Sequence, residues 1–208
     1  DFNDYRFNVI LKARQLGIST ITAGYIVWLM MFHRDKNVLV MATKFGTAAN
    51  LVKKVKAIVE HLPPWIKIAN IKIDNRTSFE LSNGSQIKAS STSFDAGRSE
   101  ALSLLVIDEA AHVDGLEELW TGLYPTLSTG GRCIALSTPN GVGNWFHKTC
   151  VDAESTANNF HLTTLPWDVH PDRDTEWYKK ETKNMSKRQI AQELECNFNT
   201  SGETVIDP

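Results

Sequence analysis

The sequence predicts an α/β domain: a mostly parallel β-sheet flanked by helices, with an antiparallel hairpin insertion. Three observations support this fold class. Short apolar runs alternate with longer segments of helical periodicity. The run at residues 37–42, NVLVMA, is almost continuously apolar, as expected of a strand buried on both faces. The alternation is interrupted by short runs around Ser82-Asn83-Gly84, whose turn residues are typical of a hairpin.

The first half of the chain contains two strand–helix units and the insertion. The helices are recognised by one apolar face, and Pro63-Pro64 ends the second helix. In order, the predicted elements are a strand at 6–12, a helix at about 19–32, a strand at 37–42, a helix at about 47–61, and insertion strands at 71–73, 78–81 and 85–89.

The second half returns to the parallel rhythm. The predicted elements are a strand at 102–107, a helix at 116–127, a strand at 132–136, a helix from about 144, a strand at 161–165 and two short helices within 174–198. Ser186 is the expected N-cap of the last helix. Residues 1–199 are thus predicted to form one domain. The polar residues 200–208 are predicted to lead toward another domain.

Composition narrows the function classes. A length of 208 residues suits one α/β domain. With a net charge of −2, the whole domain lacks the excess positive charge that is typical of a tight nucleic-acid binder. A local basic patch in each subunit of a ring would still suffice to hold DNA. The most apolar run, residues 23–32, is shorter than the roughly 18 residues that suggest a membrane helix, so no membrane partner is expected.

A candidate phosphate-binding loop follows the first strand. The pattern GxxxxGK[ST] places amides that cradle phosphate, and a lysine, at the start of a helix. Gly17 and Ser19 stand where this pattern requires them, but Ile18 replaces the lysine and Lys12 stands at the first glycine position. The predicted nucleotide-binding residues are Lys12, Ala13, Arg14, Gln15, Leu16, Gly17, Ile18, Ser19 and Thr20.

Ile18 cannot supply the positive charge of the usual lysine, but a residue at the other end of the loop is a candidate for that role. Because the loop wraps the phosphates, Lys12 can reach them from its first position, and Arg14 adds a second charge. The Ser19 hydroxyl would complete the shell of a Mg²⁺ ion. Taken alone, this imperfect match also fits an ordinary strand-to-helix turn with solvated cations.

Two carboxylates end the strand predicted at residues 102–107. Apolar residues precede Asp108 and Glu109, which is the Walker B arrangement. Asp108 is predicted to hold Mg²⁺ through water, and Glu109 to polarise the attacking water. A strand also ends in acidic residues where a loop simply starts, but this pair follows the phosphate loop by about 90 residues with another strand between. Together the motifs predict a P-loop nucleoside triphosphatase that uses Mg²⁺.

With these motifs the chain resembles the N-terminal ATPase domain of the large terminase subunits of tailed bacteriophages. The resemblance covers nearly the whole chain and rests on the segments KARQLGIST, LLVIDEAAH and ALSTPNG. It implies an ASCE, RecA-like P-loop fold. Some members of that family carry a deviant Walker A whose lysine stands at the beginning of the loop, which is the position of Lys12.

The resemblance implies further roles. Ser137 and Thr138 match a coupling motif whose hydroxyls sense the γ-phosphate, although such residues before a proline also form ordinary turns. Arg98 matches a finger inserted into a neighbouring subunit's ATP site. A surface salt bridge is the alternative for Arg98, and Arg14 acting within its own subunit is the alternative catalytic arginine. His112 closely follows the acidic pair and could sense the nucleotide state, but it is expected to be solvated or to cap a helix.

The expected function is ATP-driven translocation of double-stranded DNA into a viral prohead. The resemblance implies a homo-oligomeric ring on the prohead, with the portal protein and the small terminase subunit as partners, in the host cell cytoplasm. Neither the family's C-terminal nuclease domain nor its adenine-contacting segment is found in these residues. A helicase-like DNA translocase and a degenerate nucleotide-binding scaffold without turnover are the alternatives.

Overall fold

The computed structural model describes residues 2–92 and 100–201. Within these residues, eight strands form one sheet: β1 (Phe7–Lys12), β2 (Asn37–Ala42), β3 (Ile71–Asp74), β4 (Ser78–Leu81), β5 (Gln86–Ser90), β6 (Leu104–Asp108), β7 (Arg132–Ser137) and β8 (Phe160–Leu165). Their spatial order is β3-β4-β5-β2-β6-β7-β1-β8. In this spatial order, every neighbouring pair from β5 through β2, β6, β7 and β1 to β8 is parallel. This confirms the predicted fold class.

Helices cover both faces of this sheet, as the alternating pattern predicts. The α-helices are α1 (Ile18–Phe32), α2 (Phe45–His61), α3 (Leu116–Leu123), α4 (Trp145–Glu154), α5 (Thr175–Thr182), α6 (Lys187–Glu193) and α7 (Phe198–Ser201). Short 3-10 helices lie at Ala110–His112, Tyr124–Leu127 and Trp167–Val169. Among the described helices, none combines the length and the apolar character that crossing a bilayer requires.

The predicted hairpin insertion is confirmed, and it extends the main sheet. Strands β3 and β4 are antiparallel, and β4 is antiparallel to β5. The turn between β4 and β5 uses Gly84 at a φ of 85°, in the left-handed region that suits glycine. Strand β5 then runs parallel to β2, so it belongs both to the insertion and to the parallel sheet.

The central strands send alternate side chains to opposite layers of the core. In β6, Leu104 and Val106 pack in the cluster formed with α1 and α2, whereas Leu105 and Ile107 pack in the cluster formed with α3 and α4. All four side chains are fully buried. Burial of each such side chain contributes about 1.5–3 kcal/mol relative to exposure. This two-sided burial explains why the central strands are apolar runs without alternation.

Predicted and observed bounds differ mainly at element ends. The helix predicted at 116–127 ends at Leu123 and continues as the 3-10 helix Tyr124–Leu127. Pro125 explains the change, because it has no N–H to donate to a carbonyl four residues earlier. Ser186 caps α6 as predicted, and Gln189 completes a capping box with it.

The carboxyl ends of the parallel strands meet at one edge of the sheet. Lys12 pairs with Leu165 in the register of β1 and β8, and Ala42 pairs with Asp108 in that of β2 and β6. At the end of the described chain, Ser201 is buried and its Oγ accepts a hydrogen bond from the Gly141 amide at 2.9 Å. The domain boundary after residue 199 stays a prediction.

Candidate functional site

A pocket of about 410 Å³ opens at this carboxyl edge. The ends of β1, β2, β6 and β7 supply most of its lining, and α6 supplies one residue. The lining residues are Lys12, Arg14, Thr43, Lys44, Glu109, His112, Ser137, Thr138 and Glu193. The sequence predicts five of these as site residues, namely Lys12, Arg14, Glu109, Ser137 and Thr138, so the structure brings the separate motifs together.

Gly17 makes the turn between the candidate phosphate loop and α1. Its φ of 75° lies in the left-handed region, where a side chain with a Cβ would cost roughly 1 kcal/mol or more. Its carbonyl accepts hydrogen bonds from the amides of Thr20 at 2.9 Å and Ile21 at 3.1 Å, which begins the helix. No side chain in the described residues caps α1, so its first amides remain available for an anion.

Ile18, which replaces the usual lysine, has a structural role. It is partly buried against the hydrophobic cluster that α1 and α2 form on the sheet. Lys12 lines the pocket instead, from the last position of β1. Lys12 thus lies in the lining of the pocket, and its role as the relocated cation stays a prediction.

Ser19 and Asp108 are joined across the two motifs. Asp108 is 8% exposed, and its Oδ2 accepts a hydrogen bond from Ser19 Oγ at 3.3 Å. Its Oδ1 accepts one from the Glu109 amide at 3.0 Å. Burial raises the pKa of Asp108 above its ordinary value, and the charge of Lys12 opposes that rise.

These two side chains fit a magnesium ion. A hydroxyl and a carboxylate offer the hard oxygen ligands that Mg²⁺ prefers, and such an ion usually takes only one or two carboxylates besides phosphates and water. A carboxylate whose burial disfavours its charge is stabilised by a nearby cation. Ser19 and Asp108 are therefore the residues that would hold the ion.

Glu109 adopts an unusual backbone conformation. Its φ of 56° and ψ of 37° place it in the left-handed region, which costs a non-glycine residue about 1–3 kcal/mol. This turn directs the chain from β6 into the 3-10 helix Ala110–His112, and Glu109 lines the pocket. Its Oε2 accepts a hydrogen bond from Thr43 Oγ1, at the end of β2.

The Thr43 contact yields a test of carboxylate positioning. Thr43→Val keeps the shape but removes the donor, so we expect kcat for ATP hydrolysis to fall about tenfold, with a smaller change in KM. Thr43→Ser keeps a hydroxyl and should retain the parental kcat. Steady-state phosphate-release assays on both variants make the comparison. Equal rates for the valine and serine variants would show that the hydrogen bond does not matter.

The end of β7 is bonded to the turn that follows Glu109. Ser137 is only 1% exposed. Its Oγ accepts a hydrogen bond from the Ala111 amide at 3.1 Å. Asn140 Nδ2 donates to the Ala111 carbonyl at 3.2 Å. The segment predicted to couple chemistry to motion is therefore tied directly to the 3-10 turn that follows the acidic pair.

His112 adds a second link between these segments. Its Nε2 lies 3.3 Å from Thr138 Oγ1, and the residue is half-buried in the pocket lining. Burial lowers the pKa of His112, which favours the neutral imidazole at pH 7. The expectation of a solvated or helix-capping histidine is therefore wrong. The ring bridges to a neighbouring strand end, which the sequence does not reveal.

Arg14 is paired with a residue far along the chain. Its Nη1 lies 3.1 Å from Glu193 Oε2, and its amide donates to the Glu193 carbonyl at 2.8 Å. The Arg14 side chain is 69% exposed, so the ion pair contributes at most about 1 kcal/mol. A phosphate can compete for such a guanidinium. Arg98, the predicted trans arginine, lies outside the described residues.

Thr43, Lys44 and Glu193 line the pocket although the sequence analysis does not assign them to it. For Thr43 a signal exists, because it directly follows the apolar run of β2 and therefore lies at the same sheet edge as Asp108. Lys44 is the next residue. Glu193 has no comparable signal, since α6 reaches the pocket only through tertiary packing.

A model of one protein family, described as "Terminase large subunit, T4likevirus-type, N-terminal", matches residues 9–207. That match begins at Val9 in β1 and includes the candidate phosphate loop, the acidic pair at the end of β6 and the segment after β7. It spans well over half of the chain.

Solved structures show the same fold. The large terminase ATPase domain of Thermus phage P74-26 is 20% identical, with 93% of this chain and 89% of that chain covered and a TM-score of 0.74. The large terminase of another thermophilic bacteriophage, in complex with ADP, is 13% identical, with 95% and 49% covered and a TM-score of 0.75. That second terminase in complex with ATP-gamma-S is 12% identical, with the same coverage and a TM-score of 0.73.

Proposed function

Because this chain belongs to the family of T4likevirus-type terminase large subunits, as the N-terminal ATPase domain of a DNA-packaging motor, we propose that it couples Mg²⁺-dependent ATP hydrolysis to translocation of double-stranded DNA. The observation that carries the proposal is the hydrogen bond between Ser19 and Asp108 beside the Glu109 carboxylate. It joins the candidate phosphate loop to the acidic strand end, where the next residue, Glu109, lines the pocket. Phosphoryl transfer to water requires such a junction of a phosphate loop with acidic residues.

The phosphate loop would bind the triphosphate by charge and by amide donors. Lys12 and Arg14 line the pocket and supply the cations. The uncapped first turn of α1, which begins after Gly17, supplies N–H groups and the positive end of a helix dipole. Lys44, at the start of α2, adds a third positive group to the lining.

Glu109 would act on the attacking water. Its carboxylate lines the pocket, next to Asp108 in the chain and bonded to Thr43. A carboxylate in that position polarises water by accepting its hydrogen bond. Ser19 and Asp108 would hold Mg²⁺, which when bound neutralises charge that develops on the phosphates.

Ser137 and Thr138 would transmit the chemical state of the site. Both line the pocket, and each is bonded to the turn after Glu109, through Ala111 and His112 respectively. A movement of that turn on hydrolysis would therefore displace the end of β7. Arg98 of a neighbouring subunit is the proposed source of a charge in trans.

Assembly and DNA binding follow from the family as proposals. We propose a homo-oligomeric ring on the prohead, together with the portal protein and the small terminase subunit, in the host cell cytoplasm. With a net charge of −2, each subunit would grip DNA through a local basic patch, and the ring would sum these contacts. Residues 200–208 are proposed to lead to a further domain.

A direct test is phosphate release from ATP by the purified chain. We expect turnover that EDTA abolishes, that excess Mg²⁺ restores, and that rises with protein concentration because a neighbouring subunit contributes an arginine. Double-stranded DNA should raise the rate further. Binding of ATP-gamma-S measured by calorimetry serves as the control for an intact site. Binding without turnover at every concentration, with and without DNA, would identify a nucleotide-binding scaffold instead.

A further inference from the structure

The outer side of the phosphate loop is bound by the C-terminal part of the domain. The Ala13 amide donates to the Leu165 carbonyl at 2.7 Å, and the Arg14 amide donates to the Glu193 carbonyl at 2.8 Å. Arg173, just before α5, adds two hydrogen bonds to the same stretch. The loop conformation thus depends on residues more than 150 positions away.

The two Arg173 contacts orient the loop's peptide groups. Arg173 Nη1 donates to the Arg14 carbonyl at 3.1 Å, and Nη2 donates to the Gln15 carbonyl at 3.2 Å. In a trans peptide the carbonyl and the following N–H point in opposite directions. When the carbonyls of Arg14 and Gln15 face Arg173, the amides of Gln15 and Leu16 therefore face away from it. These are the amides that a phosphate-binding loop must present.

The same contacts support a costly backbone conformation. Gln15 has a φ of 58°, in the left-handed region that a residue with a Cβ adopts at a cost of about 1–3 kcal/mol. Such a conformation persists only when surrounding contacts impose it. Arg173 bonds the carbonyls on both sides of the Gln15 Cα, so it is placed to impose it.

Arg173 is itself held in place. Its guanidinium carbon lies 4.6 Å from the centroid of the Trp177 ring, and its amide donates to the His170 carbonyl at 3.1 Å. Asp174 caps α5 by accepting from the Trp177 amide at 2.7 Å, which fixes that ring at the start of the helix. A planar guanidinium stacked on a ring loses little freedom when it bonds two carbonyls.

We propose that Arg173 is a positioning residue that presets the phosphate loop for the triphosphate. It does not line the phosphate pocket but a neighbouring one of about 270 Å³ outside the loop. It therefore acts through the backbone of Arg14 and Gln15 and does not contact the nucleotide. This inference rests on the proposed function, because the loop is taken to bind ATP.

The test compares Arg173→Ala and Arg173→Lys with Arg76→Ala, which removes an exposed arginine from the turn between β3 and β4. Calorimetry with ATP-gamma-S and Mg²⁺ gives Kd, and ¹⁵N relaxation of the nucleotide-free protein gives order parameters for Gln15 and Leu16. We expect Arg173→Ala to raise Kd about tenfold. The two order parameters should fall from about 0.85 toward 0.6. Arg173→Lys should lie between, since an ammonium reaches one carbonyl at a time.

If Arg173 only stabilised the fold, Arg173→Ala would lower Tm but leave Kd and the two order parameters at their parental values. We expect Tm to fall by less than about 4 °C in Arg173→Ala, and Arg76→Ala to match the parent in every measurement. Parental Kd and order parameters in Arg173→Ala would overturn the proposal. If that variant does not fold, Arg173→Lys decides by the same two readouts. If the parent does not bind ATP-gamma-S, the proposed function is wrong. The order parameters would still test whether Arg173 orders the loop.

Discussion

Glu109→Gln is expected to lower kcat for ATP hydrolysis by about 10²–10⁴-fold while leaving ATP binding nearly unchanged. Glutamine has the same shape, and its carbonyl oxygen can still accept the hydrogen bond from Thr43. Its neutral amide is a far weaker base toward the attacking water than a carboxylate. The loss should therefore appear in kcat and not in the Kd for ATP-gamma-S.

The matched control is Glu118→Gln, which makes the same chemical change at an exposed position of α3. It should hydrolyse ATP at the parental rate. Single-turnover measurements with Mg²⁺ would separate the chemical step from product release. Parental turnover in Glu109→Gln would refute the assignment of this residue as the group that activates water.

Lys12→Ala has the second large expected effect. Removal of a cation from a preorganised charge-stabilising site typically costs about 10²–10³-fold, so we expect kcat/KM to fall by that amount. Unlike Glu109→Gln, this substitution should also weaken nucleotide binding. In the proposed arrangement, Lys12 contacts the phosphates both in the bound ground state and in the transition state. Its loss would also remove the charge that opposes the raised pKa of Asp108.

Lys44→Ala is the matched comparison, because Lys44 lines the same pocket from the start of α2. We expect a smaller loss, since Lys44 does not belong to the phosphate loop. Steady-state kinetics and ATP-gamma-S calorimetry on both variants rank the two lysines. If Lys12→Ala kept near-parental activity and Lys44→Ala were inactive, the compensating cation would be Lys44 at the start of α2, and the proposed role of Lys12 would be wrong.

The structure gives a physical reason for the isoleucine at position 18, where the GxxxxGK[ST] pattern has a lysine. At the start of α1, Ile18 packs against the hydrophobic cluster between the helices and the sheet. A lysine there would have to leave its apolar stem in this cluster and carry its charge out. A lysine at position 12 reaches the pocket from the end of a buried strand, without disturbing the helix start.

The position of the strand ends that form the site could be predicted, because it depends only on the residues of each strand and those directly after it. A strand buried on both faces is an apolar run, and polar residues directly after it must lie at the sheet edge. This reasoning places Lys12, Asp108 and Ser137 at one edge, and the parallel registers confirm it. Applied to β2, the same reasoning would have found Thr43.

By itself, the sequence determined the parallel sheet, the hairpin insertion and the family, because apolar periodicity and short motifs are properties of neighbouring residues. The phosphate-binding role of the two motifs stays a prediction. Only the tertiary structure decided the side-chain partners. Thr43 meets Glu109 across 66 positions, Arg14 meets Glu193 across 179, and Arg173 meets Arg14 across 159. No local pattern encodes these contacts, because each depends on how whole strands and helices pack against one another.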